Sequence, residues 1–266
     1  MKRIFPYVLG VLALLPTIAF STAASAQALQ PHRALYRVEL ANPGDSTAIA
    51  DASGLIGFEW RASCQSYVTS QRFFTRFITS DGIASESDVV FAAEEAIDGS
   101  SFTFDLADSV NGQEVDHVVG TAGEGEVHFT QPTYQRVDLP EGTIFPTQQS
   151  ARLVSSAIAG QQFLESRVFD GGDETEIYDT VARIDATDSL YLPHPESEGA
   201  NRLSPLQSWF VSLSYYDLGD ELGAPTYEVS YRMFSNGIID ELHMDYGDYA
   251  FDARLVQLEF LDQPSC

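Results

Sequence analysis

Serine, histidine and aspartate all occur in this chain, so a hydrolytic triad is the first chemistry to consider. The histidines are His32, His117, His128, His194 and His243. None of them lies in a nucleophile-elbow context, and the sequence contains no G-x-S-x-G motif. We therefore expect no catalytic residue, and no motif for a cofactor is found.

Metal ligation is the second chemistry that these residue types could support. The spacing of His117 and His128 matches no zinc pattern. Asp245, Asp248 and Asp252 are spaced closely enough to suggest calcium, but they lack the glycine and the closing glutamate of an EF-hand loop. The sequence therefore favours surface histidines and solvated turn carboxylates, and we expect no metal site.

The N-terminus has the features of an export signal. Lys2 and Arg3 precede an apolar stretch, and Ala24-Ser25-Ala26 supplies the small-x-small pattern that signal peptidase cleaves. We predict a signal peptide over residues 1–26 and a periplasmic mature protein. Residues 27–266 are long for an average domain but ordinary for a single all-β domain, and no later segment reads as a transmembrane span.

The charge of the mature region excludes some partners. After residue 26 the chain has arginine as its only cationic residue type apart from histidine, whereas the whole sequence holds 39 Asp and Glu residues. Nucleic-acid binding requires a cationic surface, so it is excluded as a function. Anionic lipid surfaces would also repel such a protein.

Cys64 and Cys266 are the two cysteines of the chain. In an exported protein, two cysteines favour a disulfide over a metal site, and the C-x-x-C spacing of a redox pair is absent. Two unpaired buried thiols are the alternative that the residues leave open.

Alternating apolar and polar residues dominate the mature region. The pattern recurs from His32 to Leu40, from Ile56 to Ala62, from Trp209 to Tyr215 and from Tyr227 to Met233. A period of two in so many segments predicts a mainly β protein with antiparallel sheet. On this pattern Cys64 shares the inward parity of Trp60.

One segment breaks the alternation and predicts a helix from about Gln148 to Ala159. Thr147 is the expected N-cap and Gly160 the expected end, with Val154, Ala157 and Ile158 as the apolar stripe.

An aromatic cluster lies close to Cys64 in the sequence. Its members are Trp60, Phe73, Phe74 and Phe77. They could form the wall of an apolar ligand cavity. They could equally be ordinary core, and the sequence does not decide between the two.

Several short motifs follow one another along the mature region: His32–Tyr36, Gly57–Trp60 followed by Cys64, Leu139–Thr147, Val168–Gly171, Tyr227–Ser230, Asn236-Gly237, Asp245–Asp248 and Cys266. In this order they resemble the envelope integrity protein B family of alphaproteobacterial periplasmic proteins. The resemblance implies an antiparallel sheet wound into a spiral, open-barrel shape around a helix, similar to periplasmic lipoprotein carriers. It also implies a Cys64–Cys266 disulfide, a role in cell-envelope integrity and no catalytic activity.

Three functional hypotheses follow from the sequence. The first is a non-enzymatic periplasmic protein that maintains envelope integrity by binding an unknown envelope protein or a lipidic ligand. The second is a lipoprotein or lipid carrier, which rests on likeness of fold alone. The third, an envelope hydrolase, is disfavoured by the missing motifs.

Overall fold

The structure, a computed structural model, describes residues 29–41, 49–172, 177–187, 189–219 and 223–266. The predicted signal peptide, residues 1–26, lies outside the described residues. The strands are β1 (His32–Ala41), β2 (Ile49–Ala62), β3 (Ser66–Thr79), β4 (Ala84–Ala96), β5 (Ser101–Val110), β6 (Gln113–Gly123), β7 (Glu126–Gln131), β8 (Gln135–Asp138), β9 (Thr143–Ile144), β10 (Phe163–Phe169), β11 (Ile177–Ala186), β12 (Ser208–Asp217), β13 (Tyr227–Phe234), β14 (Ile239–Asp245) and β15 (Ala250–Phe260). The helices are α1 (Pro146–Ile158) and a short 3-10 turn, Ala200–Leu203.

All of these strands belong to one sheet. Its order is β8-β7-β6-β5-β4-β3-β2-β1-β15-β14-β13-β12-β11-β10-β9. The first and last strands therefore pair with each other, and the two edges come from the middle of the chain. Neighbouring strands are antiparallel, except that β9 pairs parallel to β10.

Local sequence explains the strands. In β1, Ala34, Tyr36 and Val38 are buried, while Arg33 and Arg37 on the opposite face are exposed. Alternation of this kind buries one face of a sheet and leaves the other in solvent. Tight turns join many of the strands, as at Asn236-Gly237, which connects β13 to β14.

The sheet winds around so that its two ends face each other. Phe102 and Phe104 of β5 pack against Phe169 of β10, with ring centroids 6.2 and 5.3 Å apart. These strands lie at opposite ends of the strand order and are not hydrogen-bonded neighbours. The contact is therefore made by side chains across the interior, which confirms the predicted spiral, open-barrel fold.

Helix α1 packs inside the winding, on the inner face of β11 to β13. Leu153, Val154 and Ala157 are buried against a cluster that includes Trp209 and Val211. The predicted apolar stripe is correct for Val154 and Ala157 and wrong for Ile158, which is 47% exposed. Leu153 takes the third buried apolar position.

The predicted N-cap is also wrong. Thr147 lies inside the helix, and the N-cap residue Phe145 makes no side-chain capping bond. The buried carboxylate of Glu95, from the end of β4, instead accepts hydrogen bonds from the backbone N–H groups of Thr147 (2.8 Å) and Gln148 (3.1 Å). A long-range contact thus satisfies two of the free N–H groups of the first turn.

One end of the winding is closed by the segment that connects β11 to β12. Tyr191, Ala200 and Leu203 of this segment are buried in the cluster formed by β1, β2 and β13 to β15. Gly199 lies so close to β15 that a Cβ atom there would stand 2.1 Å from the Leu258 carbonyl oxygen. No helix in the described ranges is long and apolar enough to cross a membrane.

Candidate ligand-binding site

The two cysteines meet at the closed end of the winding. Cys64 and Cys266 form a disulfide with Cα atoms 5.7 Å apart and a sequence separation of 202. Cys64 does not point inward as its parity suggested, because β2 ends at Ala62. A turn follows, in which the Ser63 hydroxyl accepts hydrogen bonds from the N–H groups of Gln65 and Ser66. Both cysteines are exposed.

The four aromatic residues singled out in the sequence do not form one wall. Trp60 is buried near the closed end and stacks on Tyr67, with centroids 5.2 Å apart. Phe73 and Phe77 lie on the same inner face but further along β3. Phe74 is on the opposite face, since successive strand residues alternate and it pairs with the exposed Leu55.

Phe73 and Phe77 belong instead to a larger aromatic surface that we call the aromatic arc. Its members are Phe73, Phe77, Tyr178, Tyr215, Tyr227, Tyr246, Tyr249 and Phe251. Tyr215 stacks on Tyr227 with centroids 4.2 Å apart, and Tyr178 contacts both rings edge-on at 5.6 Å.

The arc continues without a break across the β14–β15 turn. Tyr227 contacts Tyr246 at 6.2 Å, Tyr246 contacts Tyr249 at 5.4 Å, and Tyr249 contacts Phe251 at 5.4 Å. Phe251 then contacts Phe73 at 5.9 Å. The rings thus line the end of the sheet that is opposite to the disulfide.

Burial along β12 shows that this end is the open one. Trp209, Val211 and Leu213 are almost fully buried beneath α1. Tyr215, next on the same face, keeps part of its surface accessible, as does Tyr227 beside it. Burial nevertheless raises the pKa of the Tyr215 phenol. Tyr215 therefore lies at the boundary between the buried interior and the solvent at this end of the sheet.

Carboxylates lie at the same end of the sheet as the arc. Asp217 ends β12, Asp245 ends β14 and Asp248 lies in the β14–β15 turn between two arc tyrosines. Burial raises the pKa of Tyr249, and the charge of Asp248 raises it further. In the described parts of the turns at this end, residues 80–83, 170–172, 218–219, 223–226 and 246–249, there is no arginine or lysine.

Two grooves lie elsewhere, on the outer face of the sheet. One of about 510 Å³ surrounds Gly57 and includes Arg33 and Arg72. The other, of about 740 Å³, includes Arg167 and Asp179. These arginines already pair with carboxylates, Arg33 with Glu59 at 2.6 Å, Arg72 with Asp88 at 2.7 Å and Arg167 with Asp179 at 2.8 Å. No arc residue borders either groove.

The residues considered for catalysis and metal binding are dispersed. His117 pairs with Asp105 at 3.0 Å and His243 with Asp252 at 2.7 Å. Asp245 accepts a hydrogen bond from the Gly247 N–H within its own turn. Among the described residues, no three His, Cys, Asp or Glu side chains converge as a metal ion would require.

Sequence reasoning missed the tyrosines of the arc. Tyr215 and Tyr227 were assigned to strands by their alternation, which gives no sign that they face each other across β12 and β13. Tyr246 and Tyr249 fall in a turn, outside any periodic segment. The sequence signal that could have indicated the arc is the number of tyrosines that lie at or next to the ends of predicted strands.

Fold and site together define a class: a wound, open antiparallel sheet with a helix inside, an aromatic opening and a disulfide at the far end. The EipB-like family model matches residues 23–262, so this chain belongs to the EipB-like family.

Two relatives agree with this assignment. The chain is 31% identical over 253 residues to the cell envelope integrity protein EipB of Brucella abortus (strain 2308), covering 91% of this chain and 88% of that protein. Its fold is similar to the crystal structure of a beta-barrel-like DUF1849 protein from Brucella abortus, with a TM-score of 0.81 and 29% identity, covering 88% of this chain and 99% of the other.

Proposed function

We propose that this chain is a non-enzymatic periplasmic protein that maintains cell-envelope integrity by binding a lipidic ligand or a partner protein at the open end of its sheet. The observation that carries the binding part is the aromatic arc: eight rings in continuous contact, of which all but Tyr178 and Phe251 remain partly exposed. Surfaces of this kind mark ligand or partner sites, because a monomer rarely leaves contiguous apolar area uncovered.

The envelope role is supported by similarity to the Brucella abortus protein named for cell envelope integrity, over most of both chains. The family to which the chain belongs, and the relative that it resembles, are not described by any catalytic activity. The pairing of His117 with Asp105 and of His243 with Asp252 on the surface supports a binding function rather than a catalytic one. The periplasmic location is supported by the signal sequence over residues 1–26.

Native mass spectrometry of protein purified from its own periplasm tests the binding part. We expect a mass that exceeds that of residues 27–266 by a bound lipid or a co-purifying protein, and loss of the addition in a Tyr215→Ser/Tyr227→Ser variant. Repeated isolation of the bare chain from native periplasm would contradict the proposal.

Deletion of the gene tests the envelope part. We expect the deletion strain to become sensitive to detergent, and wild-type protein to restore resistance. Edman sequencing of the mature protein, after removal of any pyroglutamate, should begin at Gln27. A deletion strain as resistant as its parent, or a chain retained with Met1, would count against this function.

A further inference from the structure

We infer that the aromatic arc selects amphiphiles with a cationic head group and excludes anionic ones. This inference rests on the proposed function and specifies its ligand class. It follows from two features that occur together at the open end of the sheet: stacked tyrosine rings on the inner face and carboxylates around them.

The rings supply both apolar contact and affinity for positive charge. Tyr215 and Tyr227 are stacked and partly accessible, and Tyr246 beside Tyr227 is 40% exposed, so tyrosine surface is available to a ligand at the open end. The face of a tyrosine ring carries negative potential and attracts an alkylammonium group. Phe73 and Phe77, which pack against Phe251 and are both partly accessible, provide purely apolar surface for an alkyl chain.

The charged groups at the open end of the sheet produce a negative electrostatic potential. Asp170, Asp217, Asp245 and Asp248 lie at this end, and the charges of Asp170 and Asp248 are close enough to act on the phenols of Tyr215 and Tyr249. The nearby turns contain no described arginine or lysine. Carboxylates around a low-dielectric opening concentrate cations and repel anions.

An acceptor without a donor lies on the inner face, two strands along the sheet from Phe73 of the arc. Asp108 of β5 pairs in register with Val89, on the face that also carries Phe102 and Phe104. Its Oδ1 atom is buried and has no hydrogen-bond partner among the described residues. A buried carboxylate oxygen normally has a donor, so a cationic group entering the interior would satisfy it.

The arginines elsewhere do not alter this selection. Arg33, Arg72 and Arg167 lie on the outer face and are paired with carboxylates. Arg232, which is buried near the closed end, is bound to Glu241 at 3.0 Å. These four guanidinium groups are thus engaged by carboxylates, and the described turns at the open end carry no arginine or lysine that would pair with a phosphate or sulfate head group.

The test uses the mature protein and three probes in isothermal titration calorimetry below their critical micelle concentrations. The probes are dodecyltrimethylammonium, dodecyl sulfate and tetramethylammonium. We expect dodecyltrimethylammonium to bind about tenfold more tightly than dodecyl sulfate, and more tightly than tetramethylammonium, with circular dichroism showing that the fold persists.

Two variants and two matched controls locate the site. Tyr246→Ala should weaken binding of dodecyltrimethylammonium, and Asp248→Asn should reduce its advantage over dodecyl sulfate by about twofold to fivefold. Phe163→Ala removes another exposed aromatic ring and Asp262→Asn neutralises another exposed aspartate, both at the other end of the strands, and they should leave both constants unchanged.

The outcomes separate this inference from the function on which it rests. Equal or tighter binding of dodecyl sulfate at the arc would overturn the cation selectivity while supporting lipid binding. Equal binding of tetramethylammonium would overturn the need for an alkyl chain. If no probe binds, the inference fails, and the proposed function is judged by native mass spectrometry alone.

Discussion

His32, at the start of β1, is a titratable ring that folding removes from water. Only 7% of the residue is exposed, its ring lies 5.3 Å from that of Phe58, and its Nδ1–H donates to the Gln30 carbonyl at 2.7 Å. Burial lowers the pKa of His32 below its usual 6.5, although the bond to Gln30 opposes this. The unfolded chain therefore binds a proton more readily than the folded one.

We predict that the free energy of unfolding decreases as pH falls below about 6.5, because protonation then favours the unfolded state. A His32→Phe variant keeps an aromatic ring beside Phe58 and should lose this part of the pH dependence. Urea unfolding at several pH values measures it, with His194→Phe on the exposed loop as the control. An unchanged pH slope in His32→Phe would show that other groups cause it.

Glu95 couples a strand to the helix through a single carboxylate. Burial raises its pKa, while the hydrogen bonds from Thr147 and Gln148 act in the opposite direction. The folded state thus holds the proton more tightly than the unfolded one. The contribution of Glu95 to stability is therefore greatest in acid and decreases as pH rises from about 4.5 towards the raised pKa.

We predict that Glu95→Ala lowers the free energy of unfolding by about 2–4 kcal/mol at neutral pH, since two N–H groups of α1 lose their acceptor. Glu95→Gln keeps an acceptor oxygen and should cost less, about 1 kcal/mol. It should also remove the decrease in stability with rising pH. Chemical unfolding of both variants checks this, and equal losses in the two would contradict the capping role.

At the scale of the element, β2 contains two glycines with opposite surroundings. A Cβ atom at Gly54 would lie 2.1 Å from the Phe74 carbonyl oxygen, whereas one at Gly57 would meet nothing within 4 Å. The close approach at Gly54 allows β2 and β3 to bend together at that point. Gly57 lines the outer groove of about 510 Å³, where it has no side chain to fill the space.

We predict that Gly54→Ala destabilises the protein by about 2 kcal/mol or more, because the backbone of β3 must move. Gly57→Ala should change stability by no more than about 0.5 kcal/mol. The two variants are matched in strand and in chemical change, so thermal unfolding of both is a direct comparison. Similar melting temperatures for the two would show that the sheet accommodates the methyl group at Gly54.

The same elements show what sequence could and could not predict. The alternation in β1, β2, β12 and β13 is a local property, so it predicted these strands correctly. Glu95 caps α1 through Thr147, which lies 52 positions further along the chain. No local sequence pattern predicts a contact between residues so far apart. The inward parity assigned to Cys64 failed because a serine turn ends β2 two residues earlier than the alternation required.

At the scale of the molecule, the disulfide joins the turn after β2 to the chain terminus. It closes a loop with a sequence separation of 202. In the chain-entropy model such a loop stabilises the folded state by roughly 5 kcal/mol. Both sulfurs are on the surface, and the clusters that fill the interior do not depend on them.

We predict that Cys64→Ser and Cys266→Ser each lower the melting temperature by about 5–15 °C while the strand content persists. The double variant should equal either single one, because all three lose the same bond. Differential scanning calorimetry gives the shifts, and limited proteolysis should show earlier cleavage near β15. A double variant with twice the shift of the single ones would contradict a shared bond.

The pairing of β1 with β15 also sets the order in which the molecule can assemble. Strands β1 to β8 form one run of sequential hairpin partners, and the run from β10 to β15 forms another. The ladder that joins the two runs, from His32↔Phe260 to Ala41↔Ala250, needs the last strand of the chain. While the chain emerges from the ribosome or from a translocation channel, the two runs of strands can form separately. They cannot pair with each other until β15 is available. Folding to completion must therefore wait for β15, and until that strand is made the two runs of strands leave the β1 edge unpaired.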